Sequence, residues 1–227
     1  MKNTQTRQGY IPVLRFEALT PFYDIVVRWT LRERVFKERL VLQAGLQCGY
    51  EVLDLGCGTG TLTVLAKESC PDARLVGLDG DASVLELARR KAAVAGLEVR
   101  FDRGSAFDLP YEENSFDRVL SSLLFHHLTR ENKSRACQEV FRVLRPGGEL
   151  HIADWGRPAN LLMRGTFLIV QVLDGFETTS GHIHGLLREL ALEAGFQASE
   201  EYRTFNTMFG TLELFGVRKP AGKADGR

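Results

Sequence analysis

At 227 residues the chain is long enough to bury a full core as one domain without disulfide support. Its 29 Lys and Arg balance 29 Asp and Glu, which removes the basic excess common in nucleic-acid binders. Four cysteines without C-x-x-C spacing give neither a disulfide framework nor a zinc site, and the most apolar later run, Gly165 to Leu173, is too short to span a bilayer.

No charged-then-apolar leader opens the chain, so the sequence predicts a soluble, cytoplasmic protein with free thiols. Residues 1–16 read as a flexible N-terminus, 17–219 as one domain and 220–227 as a frayed tail. From Phe16 to Ala44 apolar residues recur at three- and four-residue steps, which predicts helix; Thr20 and Pro21 suit its first turn. Gly45 and Gly49 close this helical cap, set at 17–49.

Glu51 to Gly60 is the stretch on which the rest depends. Val52, Leu53 and Leu55 read as a buried parallel strand, and Gly56, Gly58 and Gly60 as a tight turn into a helix. Strand, glycine turn and helix N-terminus build the nucleotide crevice of open α/β sheets. The spacing is G-x-G-x-G, unlike the G-x-G-x-x-G dinucleotide fingerprint. Asp54 at the strand end would repel a pyrophosphate and attract an ammonium group. The plainer alternative is a loop that only turns the chain.

Leu62 to Ser69 reads as the first crossover helix, ended at Cys70-Pro71. Leu75 to Leu78 is a second strand that delivers Asp79 and Gly80. An acid about twenty residues past the glycines is spaced to accept hydrogen bonds from ribose hydroxyls. Asp81 caps a helix with the apolar face Val84, Leu85, Ala88, Ala92 and Ala95. Val99 and Phe101 mark a third strand, and Gly104 to Tyr111 is a loop. In it, Phe107 and Leu109 either face a ligand ring or pack in the core.

The fourth strand ends at Ser121 and Ser122. His126 and His127 follow, and either could be a general base for a hydroxyl substrate. Neighbouring histidines are expected to point different ways, so at most one faces a site; packing on the sheet is the alternative. Thr129 caps the next helix, Arg145-Pro-Gly-Gly148 stops it, and Glu149 to Ala153 is a fifth strand. Asp154 to Gly185 breaks the alternation with aromatic and apolar side chains. Leu187, Leu190, Ala191 and Ala194 line a helix ended by Gly195. Gln197 to Asn206 and Met208 to Val217 are too closely joined for a crossover, so they should pair as a hairpin.

Glu51–Gly60, Asp79, the loop Gly104–Tyr111 with Ser115-Phe-Asp117, and Phe141-Arg-Val-Leu-Arg-Pro-Gly-Gly-Glu-Leu150 together resemble class I S-adenosylmethionine-dependent methyltransferases. Ser121-Ser-x-x-x-His-His-Leu128 resembles the ubiquinone/menaquinone-biosynthesis type. The resemblance implies an α/β fold, a seven-stranded, mostly parallel Rossmann-like sheet with an antiparallel last strand and helices on both faces. It implies S-adenosyl-L-methionine as cofactor, bound by Asp54, Gly56, Cys57, Gly58, Gly60, Asp79, Gly80, Ser105, Ala106 and Ser122. Asp54 lies near the amino group in that arrangement. Ser105 and Ala106 flank the adenine, with Asp108 a further candidate.

By the same resemblance, Tyr23-Asp24 sits near the donor, and a lid, 155–185, covers the acceptor. Tyr23, His126 and His182 are the candidate catalytic residues that would orient the nucleophile. The expected reaction is methyl transfer to a small, apolar-bodied acceptor by in-line displacement, driven by positioning. No carboxylate cluster suggests a metal. Ser121-Ser-Leu-Leu124 stands where nucleic-acid amino-methylating enzymes carry Asn/Asp-Pro-Pro-aromatic, which argues against nucleic acid. A small-molecule acceptor and no stable membrane insertion are expected; the oligomeric state stays open. Two alternatives remain: a non-catalytic donor-binding or partner subunit, and a nicotinamide-dependent oxidoreductase.

Overall fold

Short apolar runs alternating with amphipathic helices place the carboxyl ends of the parallel strands on one edge of a sheet. The computed structural model describes residues 33–156, 185–206 and 211–222. Tyr23 and the cap before residue 33, the lid residues 157–184 with His182, and Met208 lie outside the described residues.

Helix α1 (Glu33–Ala44) precedes β1 (Glu51–Leu55), α2 (Thr61–Ser69), β2 (Arg74–Asp79), α3 (Ala82–Val94) and β3 (Arg100–Arg103). Then come β4 (Phe116–Ser122), a single 3-10 turn (Phe125–His127), α4 (Arg130–Val143), β5 (Leu144–Trp155), α5 (Leu186–Glu193), β6 (Gln197–Asn206) and β7 (Thr211–Arg218). The seven strands form one sheet in the order β3-β2-β1-β4-β5-β7-β6. β1 to β5 pair in parallel, while β7 runs antiparallel to both β5 and β6. This is the expected sheet, with the hairpin at its end.

Residues alternate across the sheet as strand geometry requires. Leu53, Leu55, Val119 and Ile152 bury on one face with Ala136 and Val140 of α4 and Leu187 and Leu190 of α5. Val52, Leu75, Leu120 and Ala153 bury on the other with Phe36 and Leu40 of α1. Cys57, Leu85, Ala88 and Phe101 form a smaller cluster under α3. Leu109 belongs to the first cluster and packs as core.

Asp81 accepts from the Ser83 N–H and Thr129 from the Asn132 N–H, which caps α3 and α4 as the sequence indicates. One boundary differs. Arg145-Pro-Gly-Gly148 belongs to β5 rather than to a stop before it: α4 ends at Val143, and Leu144 already pairs with Phe116. Gly147, at φ 81°, turns this stretch without breaking the strand. Arg145 to Asp117 at 2.5 Å and Lys219 to the Leu144 carbonyl at 2.7 Å hold it in register.

Candidate active site

The carboxyl ends of β1, β2 and β4 meet at the strand-order reversal, the place where open α/β sheets bind ligands. Gly56 and Cys57 both donate backbone N–H to the Leu78 carbonyl, at 2.8 and 3.0 Å. The glycine loop therefore folds back over the end of β2. Gly56, Gly58 and Gly60 all have positive φ, 71°, 52° and 76°. At Gly60 a side chain would strike Ala88 at 2.9 Å, so the glycine lets α2 start against α3. Lys91 of α3 ties the loop down, donating to the hydroxyls of Thr59 at 3.0 Å and Thr61 at 2.7 Å.

Asp54 is fully buried. Its Oδ2 accepts from the Thr63 hydroxyl at 2.5 Å, but its Oδ1 has no hydrogen-bond partner among the described residues. Burial pushes its carboxyl up to about 6, against the pull of the Thr63 bond and of the Lys37 ammonium on α1. Lys37 is only 8% exposed and pairs with Glu33 at 2.6 Å. A buried carboxylate oxygen without a partner is costly unless a cation meets it.

Asp79 closes the other side. Its oxygens accept from Gly58 N–H at 2.9 Å and Asp81 N–H at 3.0 Å. A carboxylate has about four acceptor positions, and the Gly80 amide also acts on this one, so room remains for a hydroxyl. Burial raises this carboxyl too, opposed by those amide bonds. The Asp79 carbonyl accepts from Gly104 N–H at 3.0 Å, and Arg103 donates to the Gly80 carbonyl at 3.2 Å. Gly80, Ser105 and Ala106 are thereby drawn to the same edge. Ser105 pairs with Asp108 and receives the Phe107 N–H at 3.4 Å. Glu139 and Arg142 of α4 pin that loop at Leu109 and Tyr111.

Ser122, last in β4, sits at the same edge beside Ala153 of β5. Ser121 instead donates to the Leu55 carbonyl at 3.0 Å and is structural. Beyond them Leu123 takes φ 56°, rare for a non-glycine residue, and swings the chain into the 3-10 turn. There His126 Nδ1 lies 2.7 Å from Asp154 Oδ1, with the two residues 4% and 3% exposed. The histidine rings do not point apart as expected. Their centroids are 3.9 Å apart and tilted by 42°, because one tight turn leaves both side chains close enough to rotate onto each other.

Sequence reasoning missed Thr63, Lys37, Lys91 and Asp154. The lysines read as helix-surface charges. Asp154 gave no signal, because its partner lies 28 residues upstream.

This geometry fits S-adenosylmethionine: an unpartnered buried carboxylate for an ammonium, an open glycine cradle and a strand-end acid for a ribose. A family profile described as "Methyltransferase domain" matches residues 52–148. The chain is 36% identical over 145 residues to a demethylmenaquinone methyltransferase of Thermus thermophilus, covering 63% of this chain and 65% of that one. It is 30% identical over 191 residues to the demethylmenaquinone methyltransferase of Symbiobacterium thermophilum, covering 78% and 73%. The chain belongs to the class I S-adenosylmethionine-dependent methyltransferases. Within that family it is also 29% identical to a 2-phytyl-1,4-naphtoquinone methyltransferase of Trichormus variabilis, over 87% of this chain and 95% of that one. It spans just under two thirds of the Thermus and Deinococcus relatives, 65% and 63%.

Among solved structures, a S-adenosylmethionine-dependent methyltransferase of Methanosarcina mazei aligns with TM-score 0.66 at 21% identity, over 80% of this chain and 97% of that one. The cyclase SpnF aligns with TM-score 0.67 at 19% identity, over 82% and 81%. These two share the fold, and a cyclase among them shows that the fold does not fix the reaction. No helix among the described residues is long and apolar enough to cross a membrane.

Proposed function

We propose that the chain transfers the methyl group of S-adenosylmethionine to a quinone-type acceptor, a small hydroxyl-bearing ring with an apolar body. One observation carries the donor half: the buried Asp54 Oδ1 without a partner, across the glycine loop from Asp79. Asp54 takes the donor's ammonium, Lys37 its carboxylate, and Asp79 its ribose. Gly56, Cys57, Gly58, Gly60 and Gly80 give backbone to the cradle, while Ser105, Ala106 and Ser122 border it. Once bound, the donor supplies an activated methyl group, and its sulfur keeps the electron pair of the broken bond. A nicotinamide dinucleotide suits this crevice poorly, because Asp54 would face a pyrophosphate.

The acceptor half is supported by the names of the relatives, all of which act on naphthoquinone-type molecules by those names. Tyr23, His126 and His182 are the candidates that orient it, under the lid at 155–185. A small molecule suits the balanced charge better than nucleic acid does. Free cysteines support a cytoplasmic setting.

The test is methylation of a panel under reducing conditions: naphthoquinols with and without an apolar tail, catechols, amines and RNA. We expect methylation of the naphthoquinols, with kcat/KM higher for the tailed one by about tenfold or more, since each buried CH₂ contributes about 0.8 kcal/mol. Turnover confined to amines or RNA would overturn the acceptor. Donor binding without turnover of any member would favour a non-catalytic subunit.

A further inference from the structure

β1 and β4 pair in parallel up to Leu55 and Ser121. Beyond that point the two chains part. Gly56 and Cys57 donate backbone N–H to the Leu78 carbonyl of β2, on one side. Leu123 donates to the Ala153 carbonyl of β5, at 2.9 Å on the other side. β1 and β4 flank the strand-order reversal, so the gap between their exits is the mouth of the crevice.

Leu124 bridges that gap. Its Cδ1, Cδ2 and Cβ lie 2.7, 2.9 and 3.0 Å from where a Gly56 side chain would begin, so the leucine rests on bare glycine backbone. The Cβ is fixed to its own main chain, so rotating the side chain does not remove the contact. Leu123 is what brings it there. Along β4, Val119 packs on the α4 face of the sheet and Leu120 on the α1 face. Regular alternation would return Leu123 to the face of Val119 and Leu124 to that of Leu120. The reverse is found: Leu123 packs against the α1-side cluster and Leu124 against the α4-side cluster. The left-handed φ of 56° at Leu123 makes that exchange. A non-glycine residue holds such a conformation where its surroundings over-determine it, and residues of this kind gather at functional sites.

We propose that Leu124 is a positioning residue for the donor. Acting through Gly56, it holds the glycine loop in the shape that receives S-adenosylmethionine. This role rests on the donor reading of the crevice and deepens it, because the turn after β4 then shapes the cradle together with the loop after β1. Glycine has the widest backbone freedom of any residue, and the loop has three. Ordering such a loop at the moment of binding would subtract from affinity, so groups outside the loop must remove its freedom beforehand. Lys91 does this at Thr59 and Thr61, and Leu124 does it at Gly56.

The test is calorimetric titration of S-adenosylmethionine, without acceptor, into the full parent chain and its variants Leu124→Met, Leu124→Val and Leu124→Ala, beside thermal melts. Leu124 is half-buried, so all three should fold. Leu124→Met nearly keeps the volume and should bind within about twofold of the parent. Leu124→Ala should bind about fivefold or more weakly, with Leu124→Val between the two. Gly56→Ala should lower the melting temperature about half as much or less in the Leu124→Ala background as in the parent, because residues in contact are not additive. A leucine that merely packs would lower the melting temperature in Leu124→Ala and leave donor affinity at the parent value. That result would overturn the proposal, as would Leu124→Met binding no better than Leu124→Ala, or additive melting shifts. In each of these cases the parent still binds the donor, and the donor reading stands. A parent chain that binds no donor would overturn that reading and this role with it.

Discussion

Asp54→Asn should bind S-adenosylmethionine about a hundredfold or more weakly while melting at a higher temperature than the parent chain. Removing one partner of a buried ion pair costs about 3–5 kcal/mol, which is the affinity expected to disappear. Stability should move the other way. Burial lifts the Asp54 carboxyl from its ordinary range up to about 6. The folded chain therefore holds that proton more tightly than the unfolded chain between about pH 4 and 6. The parent loses stability as pH rises through that window, and the loss persists above it.

Asparagine carries no charge and still offers an oxygen to the Thr63 hydroxyl. Its amide inherits the unpartnered position, so the net gain is on the order of 1–2 kcal/mol near neutrality, or roughly 4 °C. Melting curves at pH 5 and pH 8 check this: the two proteins should converge at the lower pH and separate at the higher. Donor affinity of the parent should fall as pH drops below about 6, where a protonated Asp54 no longer attracts an ammonium. In Asp54→Asn it should be flat. A variant less stable than its parent at pH 8, with donor affinity intact, would contradict the role.

The second large effect separates two glycines of one loop. A side chain on Gly58 meets nothing within 4 Å among the described residues, so Gly58→Ala should lose only the cost of φ 52°, about 1 kcal/mol. Its methyl would occupy the cradle, and donor affinity should fall by about tenfold or more, as expected where backbone must approach a ligand. Gly56→Ala should instead lose stability first. Its Cβ would lie 2.7 to 3.0 Å from Leu124, at φ 71°, for a cost of about 2–3 kcal/mol in strain and overpacking. Thermal melts with donor titrations distinguish the pair. Equal losses of stability in both would show that the cradle is not open at Gly58.

Much of the fold was legible because each strand end carried a marked residue. Asp54, Asp79 and Ser122 stand at successive strand ends as the sequence indicates, and the order of elements follows from that spacing. The start of β5 was not legible. Pro146, Gly147 and Gly148 read as breakers, yet contacts from Asp117 and Lys219, remote in sequence, carry the strand through them. The same limit hid the contact between His126 and Asp154: the histidine pair was visible, but the carboxylate beside it belongs to β5. Lys37 and Lys91 are ordinary helix lysines by pattern, and only packing reveals that Lys37 is buried within reach of the Asp54 charge and that Lys91 meets the threonines of the glycine loop.

The central claim is donor binding at the ends of β1 and β2, and calorimetry tests it most directly. S-adenosylmethionine and NADH should each be titrated at pH 7.5 into the parent chain and Asp79→Ala. The parent should show one donor site, weakened about tenfold or more in Asp79→Ala by the lost ribose bonds, with NADH far weaker throughout. Tighter binding of NADH, or donor affinity unchanged in Asp79→Ala, would contradict it.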